Sequence, residues 1–343
     1  MEQRFAIGGR KMSEIQIREL DPAEYKLWDE LVETSSFGTV FHTSDWLTLC
    51  RDSFNKDLKI YGCFQENALI GGCPLFIRKM NGIFKVASST CEMTPYGGIV
   101  IKDFPGVSVR KQVQDSHEIL NHLRVFLSNM KLDSIEMKLS PDFKDIRPFT
   151  WNGWESGVFY AYYLNLERDI DAGLSKDLKK NINKSAKEGL VVKKLKDSNV
   201  YYNLFSMVYT RQNLTAPVQK IFFDRVIELL KQKGIGEMWV AETPSAEYVA
   251  TQIRVWDKQR VYAWTASSDP SYRKSGANSL IYYNVISDLK AEGHKEINML
   301  AANHSQFTDF ITGFNPELVP HYLINYTSRR YKLLRACRGL FKR

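Results

Sequence analysis

The 343 residues are 44% hydrophobic and 25% charged, which is enough apolar material for a sizeable core and more chain than one average domain needs. The longest apolar stretch, residues 68–77, is interrupted by glycine and proline and is far shorter than the roughly 20 residues that span a bilayer, so no transmembrane helix is expected. The formal charge of +8 favours anionic partners such as nucleotides, phosphosugars, tRNA or a lipid surface.

The start of the chain and the cysteines bear on processing and location. Residues 1–12 contain glycines and arginines without an apolar core, and we interpret them as a flexible leader or tag. The five cysteines form no C-x-x-C pair and lie mostly in apolar stretches, which is typical of reduced thiols rather than of disulfides or a zinc site. We therefore expect a cytoplasmic protein, with membrane association left open.

The first half begins with three apolar segments separated by short turns, which predict three antiparallel strands. These segments are residues 59–65, 68–79 and 83–88. After the loop 89–105, apolar residues at helical spacing predict a helix through residues 119–130. Residues 135–139 alternate and predict a short strand.

The second half repeats this order of elements. Its predicted strands are residues 236–242, 247–256, 261–266 and 297–300, and its predicted helices are residues 221–233 and 279–292. Between the halves, residues 174–190 predict a lysine-rich helix and residues 191–196 a strand. The shared order indicates a duplicated unit, and we expect one lobe over residues 13–165 and a second over residues 166–326.

The familiar catalytic motifs are missing from the sequence. It contains no Walker-type glycine loop, no G-x-S-x-G, no H-E-x-x-H and no histidine pair at metal spacing, so hydrolase and metalloenzyme functions are disfavoured and no metal is expected. What remains is a polar loop at the start of the last predicted helix. Its cations, small residues and free helix amides suit a phosphate or pyrophosphate, and the predicted donor-binding residues are Arg273, Lys274, Gly276, Ala277 and Asn278. An ordinary N-cap with solvated charges is the alternative.

Several short motifs, in the right order between residues 41 and 326, resemble the FemAB-like branch of the GNAT acyltransferases, which carry two GNAT-like lobes in one chain. The segments are Phe41–Leu47, Leu69–Leu75, Pro95–Gly98 and Leu174–Ala186. The resemblance implies an α+β protein in which each lobe is a mixed, largely antiparallel sheet flanked by helices. Splayed central strands would then hold an acyl donor beside an acceptor amine, and the basic amphipathic tail, residues 327–343, would pack on the first lobe.

The resemblance also implies a function, which is transfer of an acyl or aminoacyl group onto an amine of an anionic acceptor such as a cell-envelope precursor or a sugar-linked amine. Residues 310–315 depart from the family's F-K-x-G-F-G segment at Ile311 and Asn315, so acyl-CoA competes with aminoacyl-tRNA as the donor. The predicted acceptor contacts are Tyr96, Gly97, Gly98, Lys176, Lys179, Lys180 and Lys184. The candidates for a general base are Asp309, Glu242 and Tyr262.

Two alternatives remain open from the sequence. One is an acyl-CoA-dependent GNAT N-acetyltransferase that acts on a small molecule. The other is a non-catalytic module whose basic tail and linking helix bind RNA or anionic lipid. We expect no DNA partner, and weak peripheral membrane contact through the tail would fit the second alternative.

Overall fold

The computed structural model describes residues 14–211, 213–272 and 274–333. The strands are β1 Ile15–Glu19, β2 Asp57–Gln65, β3 Ala68–Met80, β4 Phe84–Ser88, β5 Val100–Ile101, β6 Ser134–Lys138, β7 Glu155–Asn165, β8 Val191–Lys194, β9 Gly236–Glu242, β10 Tyr248–Trp256, β11 Val261–Ser268, β12 Glu296–Asn298 and β13 Glu317–Thr327. The helices are α1 Tyr25–Thr34, α2 Ser44–Phe54, α3 Val109–Asn129, α4 Arg147–Thr150, α5 Ile170–Gly173, α6 Lys176–Lys187, α7 Ser198–Thr210, α8 Lys220–Lys233, α9 Ala277–Ala291 and α10 Thr308–Thr312.

The predicted meander of the first half is confirmed, because β2, β3 and β4 pair antiparallel in chain order. The turn between β2 and β3 is tight, with Glu66 in the left-handed region at φ 58°. The predicted helix is α3, which turns Ile119, Leu120, Leu123 and Leu127 inward and thereby covers one face of this sheet. The second half reproduces the pattern with β9, β10, β11 and α9.

One continuous sheet joins the two halves. Its strand order is β1-β2-β3-β4-β6-β13-β7-β12-β11-β10-β9-β8, and β5 pairs with β3 off this path. The last strand, β13, inserts between β6 and β7 of the first half, whereas β7 pairs along its other edge with β12 of the second half. One strand of each half therefore pairs with strands of the other half. The predicted boundary between two lobes, at residues 165 and 166, stays a prediction.

An aromatic core also spans the two halves. Phe41 of the first half lies 4.9 Å from the Tyr262 ring of the second, and Trp46 lies 5.3 Å from Trp264, both measured between ring centroids. The Trp264 indole N–H donates a 2.6 Å hydrogen bond to the Met93 carbonyl across the same boundary. Edge-to-face aromatic contacts of this kind add to the free energy of burial, so the halves are packed as one core.

The described part of the predicted tail lies against the first half. Arg330 forms an ion pair with Asp133, and the Tyr331 ring packs at a tilt against Phe84, with the ring centroids 5.2 Å apart. Residues 334–343 and the predicted leader, residues 1–12, lie outside the described residues. None of the described helices combines the length and the hydropathy that crossing a membrane would require.

Candidate functional site

The strands β11 and β12 run side by side only briefly before they part. They pair in parallel at Val261 with Ile297 and at Tyr262 with Asn298, after which β12 ends while β11 continues to Ser268. The chain turns away from the sheet directly after β12, because Leu300 and Ala301 have left-handed backbones with φ 54° and 49°. The two strands therefore diverge, and we call the region between β11 and the chain that follows β12 the central groove.

A β-bulge lies at the point where the central groove begins. In the antiparallel pairing of β10 with β11, Ile253 faces Thr265 but Val255 faces Tyr262, so Ala263 and Trp264 together lie opposite Arg254. A bulge leaves one backbone unit outside the regular ladder and re-aims it, which is why bulges recur beside active sites. In the first half, the pairing of β3 with β4 runs through all of Phe84–Ser88 without a register shift.

The predicted donor-binding loop lies at the other end of this groove, between β11 and α9. Gly276 caps α9 with φ 82°, and the Asn278 amide donates to the hydroxyl of Ser268, the last residue of β11, at 3.0 Å. The structure thus brings Lys274, Gly276, Ala277 and Asn278 together around the N-terminus of α9. Arg273 lies outside the described residues.

Helix α6 braces that loop from behind. Lys184 donates from Nζ to the Lys274 carbonyl at 2.7 Å, and Ser185 donates from Oγ to the Ser275 carbonyl at 2.7 Å. A Cβ on Gly276 would lie 2.5 Å from the Asn181 carbonyl oxygen, so the approach of α6 is possible only for glycine. The helix that the sequence marked as lysine-rich is therefore fixed against the predicted donor loop.

The predicted acceptor lysines occupy the solvent face of α6. This helix buries Leu178, Ile182 and Ser185, which leaves its cationic positions exposed. Those positions are Lys176, Lys179, Lys180 and Lys184. Exposure agrees both with an acceptor surface and with ordinary solvation, and the acceptor assignment stays a prediction.

Tyr96, by contrast, lies inside the protein. Its side chain is 1% exposed, and its hydroxyl accepts a 2.9 Å hydrogen bond from the amide of Asn298, the last residue of β12. Burial raises the pKa of the Tyr96 phenol well above its usual range. Tyr96 therefore supports the end of β12 from the first half, and its predicted contact with an acceptor stays untested.

The two glycines after Tyr96 allow a close approach of backbone to backbone. A Cβ on Gly97 would lie 2.2 Å from the Ser89 carbonyl oxygen, and Gly98 has φ 94°. The Gly97 amide donates to the Lys138 carbonyl at 2.9 Å. Both glycines are buried, so the loop that holds them is packed into the first half.

The three candidates for a general base are not brought together. Glu242 lies at the end of β9 in a 2.7 Å ion pair with Lys193, and Asp309 is exposed on α10. Tyr262 is buried in β11, where its hydroxyl donates to an Asp257 carboxylate oxygen at 2.8 Å. Burial raises the pKa of Tyr262, so its phenol keeps its proton at neutral pH.

Sequence reasoning missed two buried polar residues beside the bulge. Arg254 and Gln252 lie two residues apart on β10, and both are 0% exposed. The Arg254 guanidinium donates to the Gln252 side-chain oxygen and lies 4.7 Å from the centroid of the Tyr282 ring on α9. A signal in the sequence was the presence of a glutamine and an arginine inside the largely apolar strand Tyr248–Trp256.

A second concave site lies in the first half. A pocket of about 430 Å³ opens where β3, β4 and β6 meet, and its lining includes both charge signs and a thiol. Among its residues are Lys56, Arg78, Cys91, Glu92 and Glu136. Across the described residues, no cluster of three or more histidine, cysteine or carboxylate side chains is arranged to hold a metal ion.

Comparison with known proteins identifies the fold. Residues 173–309 match the model of the acetyltransferase (GNAT) domain. The crystal structure of FemX superposes with a TM-score of 0.68 at 10% identity, covering 93% of this chain and 99% of FemX. A tandem GNAT protein from the clavulanic acid biosynthesis pathway gives 0.55 at 10% identity, covering 92% and 98%. No curated protein sequence matches the chain significantly.

A further solved structure is similar over nearly the whole chain. It is the C-terminal domain of a protein from Agrobacterium fabrum described as a lysylphosphatidylglycerol synthetase, with a TM-score of 0.57 at 11% identity and coverage of 92% of this chain and 95% of that domain. The predicted α+β fold with tandem GNAT-like units is confirmed by these similarities. The GNAT domain match covers the half that contains the central groove and assigns the chain to the transferases.

Proposed function

We propose that this transferase moves an acyl or aminoacyl group onto an amine of an anionic acceptor, with the donor held in the central groove. The observation that carries the proposal is the bulge at Ala263 and Trp264, directly beyond the last pairing of β11 with β12. An amide that a bulge frees from the ladder can donate to the carbonyl oxygen of a donor lying between the strands. A non-catalytic binding module would have no use for this bulge, whereas a small-molecule acetyltransferase would use it in the same way. The exposed lysines of α6 are what favours an anionic acceptor over an uncharged small molecule.

The chemistry asks mainly for positioning. The acceptor amine attacks the carbonyl carbon of the acyl donor, negative charge develops on the carbonyl oxygen, and a backbone amide freed by the bulge stabilises that charge. The bond from the carbonyl carbon to the CoA sulfur or the tRNA oxygen then breaks, and the departing thiol or hydroxyl takes up the proton that the amine loses. The loop before α9 would hold the phosphates of the donor, because helix N-terminal amides and the nearby Lys274 both favour anions. Phosphates are common to acyl-CoA and to the acceptor end of aminoacyl-tRNA.

The donor class divides the proposal into two cases. The tandem GNAT protein is described in a form without AcCoA, which favours an acyl-CoA donor for this fold. The lysylphosphatidylglycerol synthetase favours an aminoacyl group passed to an anionic acceptor. The net charge of +8 and the exposed lysines of α6 fit an anionic acceptor in either case, whether a cell-envelope precursor, a sugar-linked amine or a smaller amine.

A direct transfer assay tests the proposal. The full chain is incubated with labelled acetyl-CoA or with alanyl-tRNA and lysyl-tRNA, together with a panel of amines that carry phosphate or carboxylate groups. Lys274→Glu should weaken donor binding about tenfold, because it replaces an attraction for phosphate by a repulsion. The matched control is Lys26→Glu on exposed α1, which should bind the donor as the parent does.

The same assay also tests whether the exposed lysines of α6 bind the acceptor. Charge reversal at Lys179 and Lys180 should raise KM for the acceptor without weakening donor binding. An unchanged KM would mean that these lysines are only solvated. If no donor yields transfer and the chain binds RNA with a steep dependence on salt, the transferase proposal is overturned in favour of a binding module.

A further inference from the structure

Arg254 is a buried cation without a counter-ion. It is 0% exposed, and within the described residues it takes part in no ion pair. Among residues 14–211, 213–272 and 274–333, no group forms a hydrogen bond with Nε or Nη1 of its guanidinium or with Nε2 of Gln252. Three donors in one enclosed place, with one positive charge among them, are an arrangement that costs free energy unless an anion completes it.

Arg260 shows how the same chain treats a buried arginine whose role is structural. Its side chain is 9% exposed, and it forms ion pairs with Asp142 and Glu296 and a 2.9 Å hydrogen bond to the Tyr163 hydroxyl. Arg254, only six residues earlier, forms no ion pair with any carboxylate in the part of the chain that the structure describes. The contrast points to a ligand as the missing partner of Arg254.

The location of Arg254 indicates that such a ligand would reach it from the central groove. Arg254 lies opposite the bulge of β11, so it sits beside the inner end of the central groove. Its guanidinium is covered by the ring of Tyr282, which is itself half-buried. Tyr282 in turn contacts Phe310 and Phe314, with ring centroids 5.0 and 5.9 Å apart, and these rings connect α9 to the segment of α10.

We propose that Arg254 and Gln252 bind a carboxylate on the acyl group being transferred, with Tyr282 as the movable cover of the site. A carboxylate carries one negative charge, which matches the single cation, whereas a phosphate dianion would stay half uncompensated. Its two oxygens can accept from the free donors of Arg254 and from the Gln252 amide. The donors most suited to the groove are then dicarboxylic acyl groups, such as succinyl, or acidic aminoacyl groups.

The assignment of the carboxylate to the acyl group rests on the proposed function, but its binding does not require turnover. Calorimetry and thermal shift with the full chain compare succinate with succinamide, which has the same shape without charge. Succinate should bind and raise Tm, and succinamide should do neither. Equal behaviour of the two compounds on the parent protein overturns the site.

Arginine variants test whether succinate binds at Arg254. Arg254→Met should weaken succinate at least tenfold while the chain stays folded, because an apolar side chain of similar length suits a buried position. The control Arg124→Met removes another arginine with an unpartnered Nε, on α3 of the first half, and should bind succinate as the parent does. If Arg254→Met does not fold, Arg254→Lys keeps the charge with fewer donors and should still bind succinate more weakly. Undiminished binding in the folded variant also overturns the site.

Transfer assays distinguish the two sources of a carboxylate. If the acyl group carries it, the ratio of kcat/KM for succinyl-CoA to that for acetyl-CoA should fall at least tenfold in Arg254→Met. If the acceptor carries it, this ratio is unchanged and KM for a carboxylate-bearing acceptor rises instead, which overturns the acyl assignment. Succinate binding without transfer from any donor would reject the proposed function and leave the anion site standing.

Discussion

Replacing Gly276 with alanine tests whether the contact between α6 and the donor loop fixes that loop in place. Gly276 has φ 82°, and an added Cβ would lie 2.5 Å from the Asn181 carbonyl oxygen and 2.7 Å from Ser185 Oγ. The left-handed backbone alone costs an alanine about 1 to 2 kcal/mol. Overpacking against a helix backbone that cannot retreat adds about 1 to 3 kcal/mol. We therefore expect Gly276→Ala to lower the free energy of unfolding by about 2 to 5 kcal/mol.

Gly234 supplies the matched control because it isolates the backbone cost. It ends α8 with φ 66°, and no atom lies within 4 Å of the position of its Cβ. Gly234→Ala should lose only the left-handed cost of about 1 to 2 kcal/mol. Urea unfolding followed by circular dichroism gives both values, and calorimetry reports donor affinity, which should fall only for Gly276→Ala. Equal losses in the two variants would refute the idea that α6 braces the loop.

The remaining predictions concern buried polar groups. Asn298→Leu leaves the Tyr96 hydroxyl without its hydrogen-bond donor and should lower the free energy of unfolding in urea by about 2 to 3 kcal/mol. This loss should exceed that of Tyr96→Phe. Equal losses would count against a role of this hydrogen bond in joining the first half to β12. Burial lowers the pKa of His42 and of His321 to about 4. Between pH 6.5 and 4 these two histidines therefore bind protons in the unfolded chain but not in the folded chain. Stability is then complete above pH 6.5 and falls on acidification by up to roughly 1.4 kcal/mol per pH unit for each histidine. His42→Gln should flatten this slope, and parallel curves would contradict the assignment.

The hairpins of both halves could be predicted because their determinants are local. A turn residue and a few alternating side chains specify β2, β3, β9 and β10, and these strands lie within one or two residues of where the sequence indicates them. The strands that exchange between the halves could not be predicted in this way. Their partners lie more than 130 residues away in the chain, and the residue pattern of each strand does not indicate which strand it pairs with.

Pro320 shows why β13 in particular was missed. Proline lacks the amide that a strand interior normally uses, so a proline within an apolar run argues against a central strand. In the structure, Pro320 faces Tyr160, whose own amide and carbonyl bond instead to the Asn303 side chain at 2.9 and 2.8 Å. Tyr160 and Pro320 therefore form a non-hydrogen-bonded pair in which β7 needs no amide from Pro320, and the pairing of β13 with β6 begins only at Leu323.

In the candidate site, too, the features that depend on local sequence could be predicted, and those that depend on the tertiary structure could not. The loop before α9 could be identified from composition, because cations, a glycine and a helix start occur within a few residues of one another. The bulge could not, since it is a property of the register between β10 and β11. Arg254 was missed although it is a charged residue in a largely apolar strand, and only the structure shows that its Nε and Nη1 have no hydrogen-bond partner among the described residues.

The exchange of strands makes the central groove a product of both halves, although the GNAT domain match covers only one. One edge of β12 pairs with β11, and its other edge pairs with β7, which belongs to the first half. The end of β12 is held by a hydrogen bond to Tyr96 from the same half. Trp264 of the bulge is likewise anchored to the Met93 carbonyl. Since three of the contacts around the central groove come from the first half, that half positions the proposed donor site and also has a pocket of its own. The two copies of the unit have therefore diverged, since the bulge is found beside β12 and not in the corresponding pairing of β3 with β4.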